Sequence, residues 1–168
     1  MTAMNPDLQL EAAKNVERAL FGTAPTMTVV GLAYGPNAAE QWLLPQLHSV
    51  TEFCGCRDKL SDRQMRELAS MIAVEFGYLK VSEVMLFLYR LKSGRYGKFY
   101  GAMDPMSVMI ALRQRFMAER AEAIDERERR EAECERERHR RQVEADRARA
   151  RAEGRNLYEI PPGLLKRP

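Results

Sequence analysis

The sequence predicts an all-α protein, a small helical bundle with a long, highly charged C-terminal helix projecting from the core. Three observations predict it. Apolar residues recur at three- and four-residue spacing through much of the first 124 positions, the mark of amphipathic helices. Start and stop signals for helices fall at the edges of those runs. Residues 125–153, DERERREAECERERHRRQVEADRARARAE, alternate acids and arginines with no apolar seam. The one stretch with an extended character is TMTVVGLAY, at positions 26–34.

In chain order, Leu8, Ala12, Val16, Ala19 and Leu20 mark one face of a helix that starts after Asn5-Pro6-Asp7 and stops at Gly22. The Thr-, Gly- and Pro-rich TAPTMTVVGLAYGPN reads as a connector with a short extended or helical piece. A second helix runs from about Ala38 to Phe53 around Trp42, Leu43, Leu47 and Val50, and Pro45 should kink it or begin a new turn. Ser61 and Gln64 fit a capping box, each side chain satisfying a free N–H of the other's backbone. The helix they open buries Met65, Leu68, Ala69, Ile72 and Phe76 and ends at Gly77. The next, about Lys80 to Ser93, contains VMLFLY, apolar on every side, and a helix with no wet face belongs at the centre. Asp104-Pro105 starts the last helix, an N-cap acceptor ahead of a proline at the first helical position. Its stripe of Met106, Met109, Ile110, Leu112, Phe116, Met117 and Ile124 then gives out. Beyond it, pairs such as Asp125–Arg129, Glu126–Arg130 and Glu137–Arg141 can support a solvated helix.

At 168 residues the chain suits one domain with an extension. The expected division is 1–57, N-terminal helices and connector; 58–124, helical core with a Gly/Tyr/basic loop at 92–104; 125–153, charged arm; 154–168, a proline-containing tail. A net charge of +3 is too small to imply nucleic acid by itself. No apolar run reaches the roughly 18 residues of a membrane span. The start, MTAMNPDLQLEAAKN, lacks the pattern of a signal peptide. Three cysteines in no framework spacing fit a reducing compartment, so the expected location is cytoplasmic.

Candidate chemistry is sparse. Cys54 and Cys56 with His48 lack the second ligand pair that structural zinc requires, so no metal is expected. The loop SGRYGKFYG follows a helix and has no Gly-Lys-Ser/Thr, which argues against a phosphate-cradling loop and against a nucleotide cofactor. No serine or cysteine sits in a nucleophile's setting. The expectation is a non-enzyme without catalytic residues, cofactor or small-molecule substrate.

What remains is basic and aromatic. From Lys80 to Arg120, eight basic residues face three acids, Glu83, Asp104 and Glu119. Seven of the 13 aromatics fall between Phe76 and Tyr100. Cations neutralise phosphates and flat rings stack on bases, so Arg90, Lys92, Arg95, Tyr96, Lys98 and Tyr100 form a candidate nucleic-acid surface. Gly94, Gly97, Gly101 and Asp104 would shape the loop that carries it. The competing reading makes the rings core and the cations solvated cover. Arg113 falls within the buried stripe, where a charge needs a partner or a path to water; Asp104, Glu83 and the loop's backbone carbonyls are candidate partners. The tail presents a further candidate, a peptide of Tyr158, Ile160, Pro161, Pro162 and Leu164 that a protein partner would read.

From Leu60 to Arg120 the chain resembles a family of small uncharacterised helical proteins from Bacteroidetes-type genomes, phages and mobile elements. The resemblance is carried by Gln64, Leu79, Lys80, Glu83, Lys92, Gly94, Tyr96, Gly97, Tyr100 and Asp104. It brings no established activity and implies an association with phage or mobile-element replication. The leading expectation is therefore a non-enzymatic, nucleic-acid-associated accessory or adaptor protein serving such replication. The alternative is a protein–protein interaction or structural module that uses residues 125–168. No membrane partner is expected.

Overall fold

A computed structural model of the protein describes residues 5–55, 59–97 and 103–154. The fold is all-α with a long C-terminal helix, and no strand occurs among the described residues. Two compact units divide the chain, Met1–Arg120 and Ala121–Pro168.

The first unit begins with α1 (Leu8–Lys14) and α2 (Val16–Phe21) where one helix was expected. Asn15 leaves the helical conformation at φ −133° and its side chain accepts a hydrogen bond from the Arg18 N–H, so it caps the second helix. The stretch with extended character is α3 (Met27–Tyr34), opened by Thr26, whose hydroxyl accepts from the Val29 N–H. Helix α4 (Ala38–Phe53) runs on through Pro45. The box at Ser61 and Gln64 forms in both directions and opens α5 (Asp62–Glu75).

The end of α5 positions α3. The Met27 N–H donates to the Leu79 carbonyl and the Thr28 N–H to the Gly77 carbonyl. A Cβ on Gly77 would lie 2.8 Å from both the Ala73 carbonyl oxygen and the Thr28 hydroxyl, so glycine permits this close approach.

Helix α6 (Val81–Lys92) is central, packed by α1, α2 and α4, with Val84, Leu86, Phe87 and Leu88 buried. Gly94, at φ +76°, turns the chain out of it. Asp104 then accepts from the Met106 and Ser107 N–H groups and the Ser107 hydroxyl. Some loss of hydration works against its charge, yet these hydrogen bonds together hold its carboxyl below the ordinary value.

Three helical segments follow without a break: α7 (Pro105–Ile110), a π-helical segment (Ala111–Phe116) and α8 (Met117–Ala152). The wider π turn shifts the wheel by about one residue, and this corrects the expectation for Arg113. It lies outside the buried stripe, exposed, and forms a two-pronged ion pair with Glu75 at 2.7 and 2.6 Å. Neither Asp104 nor Glu83 is its partner.

In the second unit α8 is a solvated helix with Glu137–Arg141 paired at 2.7 Å as expected. Arg127 pairs with Glu131, while Arg129 reaches the Asp125 backbone carbonyl rather than its carboxylate. Gly154, at φ +65°, follows its last turn. No helix among the described residues is long and apolar enough to cross a membrane.

Candidate functional site

Two surfaces compete for the role, and residue chemistry separates them. The first is the basic–aromatic corner after α6. Its organising group is Glu119, in the first turn of α8. One carboxylate oxygen accepts from the Arg90 guanidinium at 2.6 Å and the Tyr96 hydroxyl at 3.0 Å. The other accepts from Arg95 at 2.7 Å. The Tyr96 ring stacks on Phe87 at 5.7 Å, and Phe87 meets Phe116 edge-on at 5.6 Å. Arg90 also lies over the Phe116 ring.

Three expected nucleic-acid contacts thus converge on one carboxylate. Lys92 points elsewhere, donating to the Ser49 hydroxyl at 2.7 Å and lying over the Phe53 ring. Burial pushes its ammonium below the ordinary lysine value. Arg90 keeps 16% of its side chain exposed and Arg95 keeps 55%. Lys98, Tyr100 and Gly101 lie outside the described residues, as do Tyr158, Ile160, Pro161, Pro162 and Leu164. Gly94 and Gly97 both take positive φ, and Asp104 caps α7.

Tyr96 provides a pH test of the corner. Burial first, and then the neighbouring Glu119 charge, push its phenol well above the ordinary value of 10. The folded state holds that proton more tightly than the unfolded state, so the associated stability is complete below pH 10 and declines as pH rises above it. In urea titrations from about pH 9 to pH 11, wild-type stability should fall more steeply than that of Tyr96→Phe. Equal slopes would show that the phenol is not shielded.

Beside this corner lies a second anchor. Glu83 is buried, with 1% of its side chain exposed. One oxygen accepts from the Lys80 N–H at 2.7 Å, capping α6, and the other from Arg120 at 2.7 Å. The Lys80 ammonium in turn donates to the Leu20 and Gly22 carbonyls, tying off α2. These cations are structural groups.

The second surface is apolar. Helix α3, MTVVGLAY, has no charged residue, yet Met27 alone among its residues is buried. Helices apolar on all sides are normally covered on all sides. Leu32 and Val74, each 83% exposed, face a shared groove floored by Gly31, Gly35, Ala39 and Ala73. Met71, Val74 and Tyr78 continue the surface at helical spacing along and past α5. The Glu75–Arg113 pair joins it to the π-helical segment, and Ile110 and Met106 of α7, about one and two turns before Arg113, are exposed. Sequence reasoning passed over this face because it treated α3 as a connector. The available signal was its composition, six large or small apolar residues with a glycine and one threonine.

Residues 59–145, just over half of the chain, match the model of a family of unknown function, DUF6633. No curated protein and no solved structure matches the chain. The matched segment contains both carboxylate anchors and the exposed residues of α5 and α7. Helix α3 lies outside it.

Proposed function

For a chain that belongs to DUF6633, a family of unknown function, we propose the role of a non-enzymatic protein–protein interaction module. The observation that carries this reading is the uncovered apolar face of α3, α5 and α7. Soluble monomers rarely expose contiguous apolar patches larger than a few hundred Å², and larger ones mark contact surfaces. The neighbouring Glu75 and Arg113 are already paired with each other within the fold. Three cysteines in no framework spacing agree with work in a reducing, cytoplasmic setting.

The test is a photo-crosslinking side chain placed at Leu32, whose exposure makes the substitution compatible with the fold. Irradiation in cells should give protein adducts, and the same probe at the solvated Glu137 should not. If Leu32 captures no protein of any kind, the reading fails.

A nucleic-acid accessory role is the second reading, and Arg95 is what favours it, since its side chain is half exposed within a basic corner. Service in phage or mobile-element replication would rest on the family resemblance alone. This reading requires Arg95 to contact phosphate while Glu119 holds it. Salt-steep binding of single-stranded DNA that Arg95→Ala weakens would put this reading first.

A further inference from the structure

We propose that the occupant of the apolar face is a second copy of this chain, in a twofold-symmetric dimer. The inference rests on the interaction-module reading and names its partner.

A twofold interface must be complementary to itself, because each patch meets its own duplicate. This face has that property in shape. It carries a projecting side chain, Leu32, beside a hollow made of Gly31, Gly35, Ala39 and Ala73. The hollow is open: a Cβ built on Gly31 would come no nearer to any neighbour than 4.0 Å, at the Pro36 carbonyl oxygen. Leu32 of one copy fits the hollow of the other, and the symmetry repeats the contact.

The ion pair on this face is also self-complementary. Its acid and base are Glu75 and Arg113, and Glu40 adds one more acid at the wall of the hollow. Across a twofold axis Glu75 and Arg113 can exchange partners or stay paired. A strongly acidic partner would find no excess of positive charge here.

Area agrees as well. Leu32, Met71, Val74, Tyr78, Met106 and Ile110 are each at least 42% exposed. With on the order of 100 Å² uncovered on each such side chain, the patch is about 600 Å² per copy. Two patches give about 1,200 Å², the lower end of the range for specific complexes. That size fits a reversible dimer.

The experiment is sedimentation velocity on the full chain from about 1 to about 200 µM. The weight-average mass should rise from 19.3 kDa toward twice that value. Two variants locate the contact. Gly31→Leu fills the hollow and strengthens the helix, so the monomer should keep its circular dichroism and melting behaviour. Val74→Glu places a charge on an exposed position. Each should weaken self-association at least tenfold.

A chain that stays monomeric throughout overturns the inference, and so does a dimer that both variants leave intact. The outcome stays distinct from that of the module reading. If the Leu32 probe captures only unlike proteins while the chain remains monomeric, the interaction surface stands and the second copy is excluded.

Discussion

Replacing Arg120 with alanine should destabilise the fold by about 3 kcal/mol, the cost typical of removing one partner from a buried ion pair. Glu83 is held at 1% exposure while Arg120 keeps 26%, so the carboxylate has far less access to water than its partner. Its Lys80 N–H contact remains, but one oxygen is left buried without a donor. The reverse change, Glu83→Ala, also removes the cap of α6, yet it frees Arg120 to turn into solvent. A double-mutant cycle should therefore show strong coupling, with the double variant close to Glu83→Ala alone and well short of the sum. Urea unfolding of the four proteins measures it. Additive effects would mean that the pair is solvated and contributes little.

That result would bear on why basic residues cluster in this sequence. Between Lys80 and Arg120 three acids face eight bases, and each acid proves to be an anchor. Glu83 holds Arg120 and the start of α6, Asp104 caps α7, and Glu119 gathers Arg90, Arg95 and Tyr96. A surplus of cations reads from sequence as a phosphate-binding surface. Yet scarce acids among many cations are themselves a signal, since a buried carboxylate needs several donors.

Local features of the fold were legible because local chemistry decides them. The Ser61 box, the Asp104-Pro105 start, the Gly94 exit and the all-apolar α6 each follow from a few adjacent residues. Three features were not legible: one is a local cap that the apolar spacing conceals, and two depend on contacts distant in the chain or on a small change of helical period. Asn15 breaks one apolar stripe into two helices, and nothing in the spacing of Leu8 to Leu20 marks the break. The π turn moves Arg113 from the stripe to the surface, where Glu75 meets it from α5. Helix α3 is fixed by backbone hydrogen bonds to Gly77 and Leu79, some 50 positions away. The apolar face was hidden for that reason. Its residues become one surface only after α3, α5 and α7 are brought together.

Glu119→Ala should be the second large effect, about 2–4 kcal/mol, because it strands two partly buried donors together. Arg90 is little exposed and the Tyr96 hydroxyl lies within the corner, so both lose a charged acceptor that water replaces poorly. Arg95 is different: it is half in water already, and Arg95→Ala should cost no more than about 1 kcal/mol. Glu119→Gln retains an acceptor oxygen without the charge and should fall between them. This ordering separates an anchored corner from a ligand-binding one. In an anchor, Glu119→Ala loosens the loop, and hydrogen exchange should quicken at the amides of Arg95 and Gly97 while α4 is unaffected. If Glu119 instead restrained cations meant for phosphate, its removal would leave stability nearly unchanged and raise affinity for single-stranded DNA. The stacked Tyr96 and Phe87 rings favour the anchor, because a ring packed on the core has one face fewer to offer a base.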